Sequence, residues 1–333
     1  MDTRLSIPDA EALVAKALTA SGVSDANAAS VARALVAAEV DGQGGHGFAR
    51  VSSYCAQARS GKVAGHAVPN VTQRGPAMLH VDAGKGFAYP ALDLAISKLA
   101  PLAQETGIAA ATISDSHHAG QMGAHVERIA REGLIGLMVA NTPAAMAPWG
   151  GNKALFGTNP IAFAAPRRPD PLVIDLSLSR VARGKIMAAS KRGEPIPEGW
   201  ALDHDGQPTT DANAALGGMM IPTGDAKGAA LALMVEILAA SLTGAQYSYE
   251  ASSFFEGDGP APQVGQTLIA IDPARGGKTD FGLRLEALID EIEGQDGARL
   301  PGTRRLAARA KAQSEGVAVP ARLIEEIEAA TQS

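Results

Sequence analysis

Five short strand-like runs in the middle of the chain, with helical stretches before and after them, most constrain what this sequence can fold into. They occupy residues 108–113, 135–139, 161–165, 172–176 and 267–271. Each is too short for a stable helix and suits a buried strand. Around them the apolar residues recur at helical spacing. Residues 6–21 place Leu13, Val14, Ala17 and Leu18 on one face, with Pro8 near the start and Gly22 as the stop. Residues 25–40 do the same with Ala28, Val31, Ala32 and Leu35, and Gly42 lies beyond their end. Further helices are predicted at 48–60, 90–106, 123–132, 181–191 and 227–243, and a short strand at 78–81. From Phe281 onward the chain is helical and charged, broken at Pro301-Gly302 and at Gly316. No internal repeat appears. The pattern predicts an α/β (α+β) molecule with helical ends around a mixed middle. The expected division is a helical domain from residues 1–75 with 280–333 and an α/β domain at 76–279, the latter carrying a helical subdomain around 181–230.

Charge and cysteine usage then exclude whole classes. The chain of 333 residues carries 29 Lys and Arg against 35 Asp and Glu, a net charge of −6, with no basic block. That argues against binding to a phosphate backbone. Aromatic residues are only 4%, too sparse for the stacking platform of single-stranded nucleic-acid binders. One cysteine, Cys55, permits neither a disulfide framework nor a cysteine zinc cluster. The most apolar stretch, residues 229–242, is interrupted by Glu236 and falls short of the ~20 residues a membrane span needs. The N-terminus lacks the apolar core of a signal peptide. The expectation is a soluble, cytoplasmic protein with no nucleic-acid or membrane partner.

Several segments carry possible chemistry. Gly42-Gln43-Gly44-Gly45-His46-Gly47 fits the letters of the G-x-G-x-x-G dinucleotide fingerprint. That fingerprint requires a strand before the glycines, and here an amphipathic helix precedes them, so the Rossmann reading fails. His46 is of more interest, because Arg50 follows four residues later and shares its face if a helix starts near Gly47. A proton-exchanging imidazole beside a guanidinium suits a small acid, though spacing alone fits a turn histidine and a surface arginine better. The run from Ser114 to Gly123, with His117 and His118, leaves a predicted strand and opens a helix, where α/β proteins bind ligands. A zinc reading would add His125, but no carboxylate has the needed spacing, so no metal is expected. Pro148-Trp149-Gly150-Gly151 and Gly157-Thr158-Asn159-Pro160 are rigid turns. Lys227, at the start of a long apolar helix, would make an anion site with the free N–H groups there.

Taken in order, these segments resemble the type 2 malate/L-lactate dehydrogenase family, which includes sulfolactate and ureidoglycolate dehydrogenases and the reductases of cyclic imino acids. The ordered match runs from Asp41-Gly42, His46-Gly47 and Arg50 through Ser116-His117-His118, the two turns, Asp175-Leu176-Ser177 and Ala182-Arg183-Gly184-Lys185. It continues through Pro197 to Ala201, Gly206 to Asp211, Lys227-Gly228 and Leu300-Pro301-Gly302, and so spans nearly the whole chain.

The resemblance implies a non-Rossmann NAD(P)-binding fold with a largely antiparallel central sheet. It implies NAD(P)H held by His118, Ala119, Gly120, Gln121 and Met122, by Asp175, Leu176 and Ser177, by Ala226 and Lys227, and by Arg299, Pro301, Gly302, Arg304 and Arg305. It further implies His46 as proton donor, with Arg50, Thr158, Arg183 and Gly184 near the substrate, and a homodimer. Two features mark this chain. Many members carry Ser before the catalytic His, where this one has Gly45, so a serine–histidine relay cannot operate. Position 185 is Lys, as in many hydroxyacid dehydrogenases of the family, where a cyclic-imine reductase branch carries Asp.

The implied reaction interconverts a small 2-hydroxy acid and its 2-oxo acid, of malate, lactate or 3-sulfolactate type. Protonated His46 supplies the proton, Lys185 stabilises the developing alkoxide, and Arg50 or Arg183 holds the substrate carboxylate. The alternative is reduction of piperideine-2-carboxylate or pyrroline-2-carboxylate. The segment from Phe254 to Gly259 looks closer to the sulfolactate and imine-reductase branches than to the lactate ones. A non-catalytic homologue would require the loss of a site residue, for which Gly45 is the one candidate.

Overall fold

The computed structural model describes residues 2–331. The chain enters through β1 (Asp2–Leu5), α1 (Ile7–Ala20), α2 (Asp25–Val40) and α3 (Val51–Ser60). Next come β2 (Asn70–Gly75), β3 (Met78–Asp82), α4 (Ala88–Thr106), β4 (Ile108–Ser116), α5 (Met122–Arg131), β5 (Ile135–Ala140), β6 (Ile161–Ala165) and β7 (Leu172–Leu176). A smaller excursion holds α6 (Arg183–Arg192), β8 (Ala201–Leu202), β9 (Pro208–Thr209), α7 (Ala212–Gly217) and β10 (Met219–Met220). Helix α8 (Ala226–Glu236) runs into one π turn (Ile237–Ser241) and leads to β11 (Val264–Ile271). The tail is α9 (Phe281–Glu293), α10 (Thr303–Glu315), β12 (Val317–Pro320) and α11 (Ala321–Ala330).

Local chemistry sets the ends of the first helices. Ser6 accepts from the Asp9 N–H at 3.2 Å and Ser24 from the Asn27 N–H at 3.4 Å, side-chain caps worth roughly 1 kcal/mol each. The central sheet has seven strands in the order β2-β3-β4-β11-β5-β6-β7. Only β3 and β4, joined by crossover helix α4, are parallel; every other pair is antiparallel. Strand β11 lies between β4 and β5 and is covered on both faces. Its Leu268 and Ala270 belong to the core with α4, while Thr267 Oγ1 donates to the Leu238 carbonyl of the π turn at 2.6 Å. Double coverage is why this strand reads as a nearly unbroken apolar run.

Three hydrophobic cores follow from this arrangement. One lies between the sheet and α4 with α5. A second joins α1, α2 and α3 to β12 and α11, and the antiparallel pair β1–β12 ties the two chain ends together. The third surrounds α6, α7 and α8. Two segments within the bounds expected for the helical domain pack elsewhere. Residues 70–75 form β2, a polar edge strand of the central sheet. Helix α9 contributes nothing to the helical core, and its Glu286 pairs with Arg167, between β6 and β7, at 3.0 Å. Among the described residues, no helix is long and apolar enough to cross a membrane.

Candidate active site

Helix α2 stops at Gly42, whose φ is +74°, and the glycine-rich segment then forms two 3-10 turns, Gly44–His46 and Phe48–Arg50. The expected helix therefore begins at Val51 rather than at Gly47, because Glu39 folds back onto this segment and caps the second turn. Its Oε2 accepts from the Phe48 N–H at 3.0 Å. A Cβ on Gly47 would lie 2.1 Å from that oxygen, so a side chain there would displace the Glu39 cap. His46 and Arg50 still come together, by another route: Arg50 Nε donates to the Gly45 carbonyl at 2.8 Å. Arg50 Nη1 and His46 Nδ1 are both buried and without a hydrogen-bond partner. Such orphaned polar atoms are costly unless a ligand satisfies them.

The loop after β4 meets this segment. His118 stacks on His46, with ring centroids 5.2 Å apart and planes 20° from parallel. Its Nδ1 is held by the Tyr54 hydroxyl at 2.7 Å, and Tyr54 in turn touches the Tyr89 hydroxyl at 3.2 Å. Gly120 has φ +67°, and a Cβ there would lie 2.5 Å from the Tyr89 hydroxyl. His117 is fully buried among Tyr54, Phe87 and Phe254, with both ring nitrogens unpartnered. His125 is buried and bonds the Ala119 carbonyl at 2.9 Å through Nε2, which gives it a structural partner.

Burial and the Arg50 charge pull the site's imidazoles down together. His46 falls to about 4, first through burial and then through Arg50. His117 falls to about 3, with Lys62 and Arg50 adding to burial, and His118 lies well below its ordinary value. His46 is therefore neutral at pH 7 in the free protein. The site as it stands holds a base, and the protonated donor expected of His46 would form as negative charge arrives.

The remaining predicted residues fall into three groups. The segments expected to hold the cofactor converge in part. Asp175, at the end of β7, accepts from the Gly123 N–H of α5 at 2.7 Å, and burial raises its carboxyl to about 6 despite that bond. Gly123 packs against Val173, and Gly302, at φ +88°, lies over the Val173 carbonyl. Past Leu176 and Ser177 the chain pairs with the turn before α8, the Thr223 N–H donating to the Leu178 carbonyl at 2.8 Å. Ala226 and Lys227 are exposed there, at a helix start that no side chain caps. Arg299, Pro301 and Arg304 are exposed. Arg305 instead points inward: it is buried and paired with Glu127 and with Asp41 at 3.6 Å.

Thr158 sits on a pinned turn. Its N–H donates to Thr142 Oγ1 at 2.9 Å. The next residue, Asn159, has φ +40° and donates from Nδ2 to Glu236 Oε2 at 2.7 Å. Arg183 gives Nη2 to the Leu216 carbonyl at 3.0 Å, and Gly184 and Lys185 are exposed in the first turn of α6. No hydrogen bond or ion pair joins these three to His46 among the described residues. Sequence reasoning missed Tyr54, Glu39, Lys62 and Glu236. Only Glu236 left a signal, as the single charge inside the most apolar stretch, since a buried carboxylate requires donors.

The family model described as malate/L-lactate dehydrogenase matches residues 5–328. The chain belongs to the malate/L-lactate dehydrogenase family. One relative, the (2R)-3-sulfolactate dehydrogenase (NADP(+)) of Chromohalobacter salexigens, is 52% identical over 99% of this chain and 98% of its own length. The Δ1-pyrroline-2-carboxylate reductase of Ancylobacter novellus is 40% identical over 98% of this chain and 97% of its own. Among solved structures of the family, Δ1-piperideine-2-carboxylate reductase from Pseudomonas syringae pv. tomato superposes with a TM-score of 0.94. It is 38% identical and covers 98% of this chain and 99% of that one. The non-Rossmann, largely antiparallel fold expected from the family is the fold observed, and the activity is that of an oxidoreductase family.

Proposed function

We propose that this chain is an NADP-dependent dehydrogenase of a 3-sulfolactate-type 2-hydroxy acid, working as a homodimer. The observation that carries the chemistry is that His46 Nδ1 and Arg50 Nη1, four positions apart on one segment, are both buried and left without partners, with the Arg50 charge acting on the imidazole. Arg50 is suited to clamp the substrate carboxylate, and the clamp brings the C2 oxygen to the imidazole. In the oxidative direction neutral His46 takes the hydroxyl proton. In the reductive direction the carboxylate offsets Arg50, raises the His46 pKa and lets the imidazolium return that proton to the oxygen. Lys185, from the first turn of α6, is assigned the developing negative charge on that oxygen.

The residues fit a nicotinamide dinucleotide. Gln121 Oε1 is a buried acceptor without a partner, and Lys227 stands exposed on an uncapped helix start that suits a phosphate. The cofactor, when bound, supplies the hydride chemistry, and the protein orients and polarises. The substrate class follows the 52% relative over the 40% ones, and Lys185 supports it, since a fixed ammonium favours an alkoxide and repels a cyclic iminium. The dimer reading is supported by the apolar side chains that α8 and the following turns expose, Leu231, Met234, Ile237 and Leu242.

The test is oxidation of NADPH and NADH with sulfopyruvate, oxaloacetate, pyruvate and Δ1-piperideine-2-carboxylate at neutral pH. Sulfopyruvate with NADPH is expected to give the highest kcat/KM, and Lys185→Asp to narrow its lead over the cyclic imine. A wild-type preference for the cyclic imine overturns the reading.

A further inference from the structure

The segment between α8 and β11 lies along α3 and is fastened to it. Gln57, wholly buried, donates from Nε2 to the carbonyls of Phe254 at 3.0 Å and Glu256 at 2.9 Å. Lys62, 1% exposed, donates from Nζ to the carbonyls of Ser253 at 2.8 Å and Glu256 at 3.1 Å. Ser60 Oγ donates to the Gly257 carbonyl at 2.6 Å. A buried ammonium bonded to carbonyls is an uncommon fastening for a surface loop, and it fixes two aromatic rings over the site. Phe254 turns inward against His117 and His118, each 5.2 Å away between ring centroids. Phe255 turns outward, remains 44% exposed, and lies under Arg50, whose guanidinium carbon is 4.4 Å from the ring centroid.

Burial does not explain Phe255, since nearly half of it faces solvent. Its ring does explain the attitude of Arg50. The Gly45 carbonyl engages Nε on one edge and the ring covers one face, so the guanidinium is held at two places, while Nη1 is left without a partner. We infer that Phe255 is a positioning residue, which presets the Arg50 guanidinium for a bidentate grip on the substrate carboxylate, and that the Gln57–Lys62 clasp holds Phe255 in place. The inference rests on the reading of Arg50 as the carboxylate clamp. A preset clamp loses less freedom on binding, so removing the ring should weaken acid binding without changing the proton or hydride chemistry.

Phe255→Leu keeps an apolar side chain and removes the π face, whereas Phe255→Tyr keeps the ring. The leucine variant is expected to raise KM for the 2-oxo acid by about 3- to 30-fold, with kcat within about 3-fold and KM for NADPH unchanged. The tyrosine variant should restore KM to near wild type. Lys62→Met should show the same rise in KM with a lowered Tm. Calorimetric titration with oxalate, an inert diacid, reads the same difference without turnover: binding to Phe255→Leu should be weaker by a similar factor. Absence of turnover with every 2-oxo acid, with the oxalate difference intact, would overturn the dehydrogenase reading and leave this inference standing. Equal oxalate affinity in wild type and Phe255→Leu, or a tyrosine variant as weak as the leucine one, would overturn the inference.

Discussion

His46 meets two opposing demands. A proton donor should be charged, yet burial and the Arg50 guanidinium hold this imidazole at about 4. Both demands are met if the substrate brings the missing negative charge. His46→Ala should therefore lower kcat by about 10²–10⁴-fold while NADPH binding stays nearly intact, measured by steady-state kinetics and cofactor titration. In the wild type, binding of the 2-oxo acid near pH 7 should draw a proton from solvent. Calorimetry in buffers of different ionisation enthalpy reads that proton directly, and an apparent enthalpy independent of buffer would contradict the assignment. His46 and Arg50 were legible in the chain, from glycine flanks and a four-residue spacing. The protonation state of His46 was not, because desolvation depends on the His118 ring and on the tyrosines behind it, which come from other elements.

Elements are held in register by buried polar groups. Glu236, at the last turn of α8, accepts from Asn159 Nδ2 at 2.7 Å, from the Ser248 N–H at 2.6 Å and from Ser248 Oγ at 2.7 Å. It thereby joins α8 to the strained Thr158-Asn159 turn. A carboxylate surrounded by donors cannot be replaced by an amide without setting N–H against N–H. Glu236→Gln is expected to destabilise by about 1–3 kcal/mol in urea unfolding, although the side chain keeps its shape. A second network links α10 to the site: Arg309 bonds Asp41 at 2.7 Å and Glu127 at 2.7 Å, and Gln121 also donates to Asp41 at 2.8 Å. Burial pushes Glu127 up, but the hydrogen bonds and charges of Arg309 and Arg305 prevail and hold it at about 2. The tail thus braces both the His46 segment and the loop of Gln121. No periodicity along the chain announces such contacts, since their partners lie up to 268 positions apart.

The whole molecule should be acid-labile for a reason built into its site. His117, His118 and His125 are buried and neutral, with values pushed below 6.5 to about 3, well below, and about 4. Unfolding lets each take a proton, so stability falls as pH drops below 6.5. Asp175 and Glu39, raised by burial, bind protons more readily in the folded state and offset part of this. The net expectation is a loss of roughly 1–3 kcal/mol per pH unit between about pH 6 and 4.5, measured by chemical denaturation at each pH. Stability unchanged across that window would contradict the buried, neutral histidines. The apolar face of α8 bears on assembly, and light scattering is expected to give twice the mass of the chain; a monomer mass overturns the dimer.

What the sequence determined by itself is what depends on neighbours along the chain. The apolar period of α1 and α2, the runs of β6 and β7 and the glycine stops are local, and the structure places these elements at or within a residue or two of the expected bounds. The ordered motifs likewise carried the family. Tertiary structure alone decided the rest. The polar edge strand β2 and the short pair β1–β12 gain their hydrogen bonds only from distant partners. The stack of His46 on His118, the inward turn of Arg305 and the ring beneath Arg50 arise where α3, β4, α10 and the segment before β11 pack together. Desolvation, ring contact and charge pairing act through space, and a linear pattern records only the residues able to take part in them.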